Sequence, residues 1–199
     1  LLKKEIERLN INFLKPDINS SKSIFSIETK DDVKAIRFGL GAIKGVGIKS
    51  IKSMIDERNT NGKFTNIINF MQRLNSEVIN KRQLEKLIQS GAFDILDKNR
   101  SKLFSNVQKF VELYGGEKNS NNENLLFEEQ DISFDDKNLF LQDVEKWRSF
   151  EQLNHELNVI GFYFSDHPLK HYPEKFFNLN NIINYEDIVS SSKLTNAKL

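Results

Sequence analysis

Two glycines one residue apart separate two segments of helical apolar spacing in Leu40-Gly41-Ala42-Ile43-Lys44-Gly45-Val46-Gly47-Ile48-Lys49-Ser50-Ile51-Lys52-Ser53-Met54-Ile55. Glycine tolerates backbone conformations that side chains forbid, and it lets a backbone approach another surface closely. The spacing predicts a short helix, a tight turn at Gly45-Val46-Gly47, and a longer helix, with Val46 as an apolar plug between the two. Ile48, Lys49 and Ser50 open the second helix. The first amides of a helix have no partner inside it, and its dipole presents a positive end. Such a terminus holds an anion without any particular side chain. A phosphate suits it, and Lys44, Lys49 and Lys52 supply long-range attraction.

Other glycine-rich phosphate binders fit poorly. A dinucleotide-binding G-x-G-x-x-G needs a third glycine where Ser50 stands, and a preceding strand in a βαβ unit. A G-x-x-x-x-G-K-[ST] loop fails on spacing, because Gly41 to Gly45 is too short and no Lys-Ser follows. A helix corner with no ligand is the plain alternative.

Charge favours the phosphate reading. Residues 33–110 carry 15 Lys/Arg against 6 Asp/Glu, whereas residues 111–164 carry 4 against 12, although the whole chain nets only +1. A basic block beside an acidic one suits a chain in which one stretch faces a polyanion and the next does not. A second turn lies inside the basic block, at Leu87-Ile88-Gln89-Ser90-Gly91-Ala92-Phe93-Asp94, after a helix carrying Lys81, Arg82 and Lys86. Gly91 ends that helix, Asp94 or Asn99 caps the next, and Lys98, Arg100 and Lys102 follow. It reads as a second, degenerate hairpin, with Ser90, Gly91, Ala92 and Arg100 as its candidate phosphate contacts.

The remaining pattern is mainly α with short β segments. Alternation predicts strands at 23–28 and 33–38, the latter with Val33, Ala35 and Arg37 on one side. Helical spacing covers 1–9, 65–74, 80–90, 98–113 and 151–159, with Ile67, Ile68, Phe70 and Met71 on one apolar face. Residues 117–124 are polar and Asn-rich, which predicts a linker. The absence of cysteine excludes disulfides and thiolate metal sites and fits a reducing cytoplasm. No run of about 18 apolar residues predicts a membrane span, and the lack of a signal peptide or initiator Met suggests a piece of a longer protein.

The Gly45-Val46-Gly47 pattern resembles the helix-hairpin-helix motif, which grips DNA backbone without reading sequence. Ile36 to Gly47 resembles a signature of the alpha subunits of bacterial DNA polymerase III. Asn80-Lys81-Arg82 through Ser90-Gly91-Ala92-Phe93-Asp94, Pro16-Asp17-Ile18-Asn19 and Val159 to Leu169 resemble further blocks of that family, in the family's order. Ile51 stands where the motif often has Ala, and Asp166 where the family commonly has Gly.

The resemblance implies an architecture: the end of a finger domain over 1–32, tandem hairpins over 33–115, an acidic linker over 116–150, and a connector over 151–199 towards an OB-fold. It implies membership of a DNA-directed polymerase whose Mg2+-dependent palm lies elsewhere. Asp131, Asp135 and Asp136 do not form the palm's cluster, and His167 and His171, with Pro168 between them, read as structural. Implied partners are duplex primer-template, other replicase subunits and a sliding clamp. The clamp would be held by a degenerate peptide, Glu123-Asn124-Leu125-Leu126-Phe127, in which Glu123 replaces the usual Gln and Leu125, Leu126 and Phe127 are the apolar part. The competing reading is a protein-interaction scaffold without direct DNA contact. A hairpin nuclease would need acid or Tyr/Lys chemistry near the turns, and none is evident.

Overall fold

The computed structural model of the chain describes residues 5–6, 8–30, 33–74, 78–114 and 141–173. It divides into two compact units, 1–164 and 165–199. The described part of the second is a 3-10 turn, Pro168–His171, whose preceding His167 accepts a bond from the Leu169 amide. Asp166 binds Lys170 and His171 there.

The first unit is mainly α with one small sheet. Its strands are β1 (Asn12–Leu14), β2 (Ser26–Lys30) and β3 (Val33–Arg37). β3 is central, parallel to β1 and antiparallel to β2. Glu28 and Arg37 are diagonal neighbours across β2 and β3, and the guanidinium grips the carboxylate with two bonds of 2.9 and 2.8 Å. Its third nitrogen binds the Lys15 carbonyl.

Six helices follow among the described residues: α1 (Ile48–Asn61), α2 (Ile67–Arg73), α3 (Lys81–Gln89), α4 (Arg100–Ser105), α5 (Val107–Tyr114) and α6 (Ser149–Ile160). Ile51, Met54 and Arg58 recur at three- and four-residue steps and form the buried face of α1. The stripe read from sequence on α2, Ile67, Ile68, Phe70 and Met71, is buried throughout. Phe64, Phe70 and Phe93 meet edge to face at about 5 Å and pin α2 to the segment after α3.

Asparagines start three of these helices, each accepting a backbone amide near the helix start: Asn66 on α2, Asn80 on α3 and Asn99 on α4. Asn80 and Gln83 bond reciprocally as a full capping box. The single helix expected over 98–113 is two, α4 and α5, broken at Asn106. The Asn106 side chain bonds back to Lys102 and across to both backbone groups of Gln142, which draws that later segment onto the helices.

Packing runs across residue 32, where the basic block begins and where the resemblance ends the finger domain. β3 pairs with strands on its N-terminal side, and Ile18, buried in the main core, donates its amide to Ala92. Asn19 exchanges two bonds with the Phe64 backbone. The buried Arg58 reaches from α1 to the carbonyls of Ile18 and Ser21. A buried cation needs acceptors, and the early loop supplies them. At the other end, α6 packs through Val159 and Ile160 into the same core, and Phe162 and Phe164 pack against it.

Candidate nucleic-acid interface

At the first glycine turn, the element before it is a single 3-10 turn, Leu40–Ala42, in place of the short helix expected. Gly39 and Gly41 explain this. A Cβ on Gly41 would lie 2.5 Å from the Ser23 carbonyl oxygen, and one on Gly39 would meet the Ile24 backbone. The Leu40 and Gly41 amides bond outward to Lys22 and Ser23, and the Lys44 amide, which a longer helix would pair with Leu40, is taken by Val159. Ile43 and Val46 are buried, so Val46 is the plug that the sequence suggested.

The turn itself faces outward. Gly45 has a φ of +83°, which a side chain adopts only under strain. The Lys44 amide bonds to the Val159 carbonyl of α6, and the Val46 amide to Ile43. The amides of Gly45, Gly47, Ile48, Lys49 and Ser50 donate to no protein group among the described residues. Gly47 is the N-cap of α1 and has no side chain to close that end. Lys44, Gly45, Gly47, Ile48, Lys49 and Lys52 are exposed, and Ser50 is half-buried. The structure therefore brings this sequence-derived set together around open amides, and α1 has no acid in its first turn.

The second turn is closed. Ser90, Gly91 and Ala92 are buried, and their amides bond to Lys86, Ile88 and Leu87 as the C-terminal cap of α3. The Ser90 hydroxyl donates to Leu87, and the Ala92 carbonyl takes the Ile18 amide. Arg100 is 3% exposed. Its guanidinium binds both oxygens of Asp94 at 2.6 Å and Glu156 of α6 at 2.8 Å. Burial works against the charge, and the two carboxylates more than offset it, so the group stays above the ordinary arginine pKa. Ser90, Gly91, Ala92 and Arg100 are thus corrected from phosphate contacts to core: their donors are spent inside the fold.

The same correction applies to much of the basic block. Arg37, Arg58, Arg73 and Arg100 all bond within the protein: Arg37 to Glu28, Arg58 to carbonyls, Arg73 to Glu57, and Arg100 as above. Lys44, Lys49, Lys52, Lys81 and Arg82 are exposed, and none pairs with a carboxylate among the described residues. Counting charge in sequence cannot separate these two groups.

Sequence reading missed the neighbour of the open turn. The Ser50 hydroxyl donates to Gln83 Oε1 at 3.2 Å, and a Cβ on Gly47 would lie 3.1 Å from Gln83 Nε2. The alkyl stem of Lys86 lies against Gly45, 3.5 Å from where a Cβ would be. The start of α3, not the turn after it, flanks the first hairpin. The capping-box spacing of Asn80 and Gln83 was visible in the sequence, but not what Gln83 touches.

The clamp-peptide residues Glu123, Leu125, Leu126 and Phe127, and Asp131, Asp135 and Asp136, lie outside the described residues. Among the described residues, no three His, Asp or Glu side chains converge as metal ligands would, and no helix is long and apolar enough to cross a membrane.

The helix-hairpin-helix motif family matches residues 10–103, which includes both glycine turns and the early loop. DNA polymerase III subunit alpha of Borreliella burgdorferi is 35% identical over 212 residues, covering 98% of this chain and 18% of that protein. The subunit of Neisseria meningitidis is 37% identical over 165 residues, covering 83% of this chain and 14% of its own length, and that of Campylobacter jejuni is 33% identical over 194 residues, covering 96% and 16%. The chain spans less than a fifth of the length of these curated relatives. Over the segment it spans, the chain belongs to the family of DNA polymerase III alpha subunits.

Proposed function

We propose that this chain binds duplex DNA through its phosphate backbone, without reading bases, as the DNA-gripping part of a replicative DNA polymerase. One observation carries the reading: the open amides at Gly45, Gly47, Ile48, Lys49 and Ser50 sit among exposed lysines that pair with no carboxylate among the described residues, in a turn that the helix-hairpin-helix family matches. Backbone amides aimed at phosphate oxygens hold any sequence equally, because a phosphate carries no base identity. Lysines add a salt-dependent attraction through counterion release.

On this reading, nucleotide addition with Mg2+ belongs to the palm of the longer polymerase that the family resemblance implies. No chemical step is given to the carboxylates among the described residues. The test is fluorescence anisotropy with two duplexes of unrelated sequence, titrated with salt. Equal affinities and a steep inverse dependence on salt are expected. A slope near zero removes the DNA role and leaves the protein-interaction scaffold as the reading.

Attachment to a sliding clamp through Glu123-Asn124-Leu125-Leu126-Phe127 is a finer part of the proposal. It rests on the paired apolar side chains Leu126 and Phe127 and on their place after the hairpins. Leu126→Ala with Phe127→Ala is expected to abolish co-elution with the clamp while DNA binding persists. Retained co-elution ends that part alone. Cytoplasmic location and contact with other replicase subunits follow from the same reading.

A further inference from the structure

We propose that the first turn of α3, with Lys81 and Arg82 outermost and Gln83 beside the hairpin, is the second phosphate contact of this domain, in place of the closed turn at Ser90-Gly91-Ala92. The inference rests on the DNA-backbone reading above and adds where the strand goes next.

Three observations place α3 at the open turn. Gln83 Oε1 takes bonds from the Ser50 hydroxyl at 3.2 Å and the Asn80 amide at 3.2 Å, so one side chain ties the start of α1 to the start of α3. Gln83 Nε2 lies against Gly47 and donates to no protein group among the described residues, which leaves an amide donor beside the open backbone amides. Lys86 lies along Gly45 and is steadied by Gln89 Oε1 at 3.1 Å.

Charge agrees with geometry. Lys81 and Arg82 are exposed and unpaired with any carboxylate among the described residues, and α3 has no acid in its first turn. Glu85, half-buried one turn on, is the acid on that helix. At the second turn the amides of Ser90, Gly91 and Ala92 are spent as the cap of α3 itself, so the glycine there presents no open amide. That turn also presents Asp97 beside Lys98, and an anionic group repels a phosphate.

The experiment uses the full chain, a mixed-sequence duplex and salt titration by anisotropy. Deleting one cation that neutralises a phosphate lowers the log–log salt slope by about one unit. Lys81→Ala with Arg82→Ala is expected to lower the slope by about two and the affinity by at least tenfold. Lys98→Ala with Lys102→Ala, beside the closed turn, is expected to leave the slope unchanged. Gly45→Val separates this inference from the reading beneath it. If Gly45→Val loses binding while the 81/82 variant keeps the parent slope, the α3 contact is overturned and the hairpin reading stands. A slope that falls only in the 98/102 variant overturns it likewise. If Gly45→Val and the 81/82 variant both bind like the parent, the underlying DNA reading has failed.

Discussion

The two glycine turns look like copies in sequence and behave as opposites in the fold. Gly45 and Gly91 both sit at positive φ, +83° and +80°, and both follow a short apolar run. At Gly45 the next helix begins with an uncapped glycine and its amides are left open. At Gly91 the amides close the preceding helix, and a cation that sequence placed at the surface is locked between two carboxylates. A glycine turn exposes its donors only when no neighbouring carbonyl is in reach. One turn is a candidate binding surface, and the other is the joint that holds α3, α4 and α6 together.

The largest expected effect tests the joint. Arg100→Met leaves Glu156, which is fully buried, without its cation. Removing one partner of a buried pair typically costs about 3–5 kcal/mol, read by urea unfolding. The salt slope of DNA binding should not move, and a changed slope would return Arg100 to the interface.

Next comes the glycine pair itself. Gly91→Ala is strained by its φ and meets Arg100 and Asp94, so a stability loss of about 2–4 kcal/mol is expected with unchanged affinity per folded molecule. Gly45→Val carries the same strain of a positive φ, about 1–3 kcal/mol, but its Cβ meets only the flexible Lys86 stem, so it should cost less stability than Gly91→Ala, while affinity per folded molecule falls at least about tenfold, or 1.4 kcal/mol. If the two variants act alike, the contrast between the turns disappears.

Gln83→Glu sharpens the contrast at one atom. Glutamate at this capping-box position still accepts from the Asn80 amide and the Ser50 hydroxyl, so the melting temperature should hold. The donor beside Gly47 becomes an anion, and DNA affinity should fall severalfold. Unchanged affinity would mean that Gln83 does not face phosphate.

The smallest effect is on pH. His155 lies 4.1 Å from Trp147 between ring centroids, and its Nδ1 accepts from Gln89, which requires that nitrogen to be unprotonated. Burial, first of all, lowers its pKa; Glu151 opposes this, while Lys86 and Arg100 add to it. A depressed folded pKa favours the neutral ring in the fold. The stability it contributes is therefore full above the ordinary value of 6.5 and declines as pH falls below it. Urea midpoints across that window should show the decline, and His155→Gln should lessen it.

Much of this was legible from sequence because it depends on near neighbours. The apolar stripe of α2, the plug between the glycines at Val46 and the Asn99 start of α4 follow from residues within one turn of each other. The set from Lys44 to Lys52 was readable for the same reason, since a turn and the helix after it are contiguous in the chain. The split at Asn106 was not readable, because its cause is a partner 36 residues away at Gln142.

Residue order alone settled local matters: which segments curl, where glycine permits the turns, and how much charge each block carries. Packing settled which charges are free and which amides stay open. Arg37, Arg58, Arg73 and Arg100 became internal fasteners because carbonyls or carboxylates from distant segments come within hydrogen-bond reach of them. The physical reason is that a donor's availability depends on what else can reach it, and that is a property of the packed chain rather than of any stretch of it.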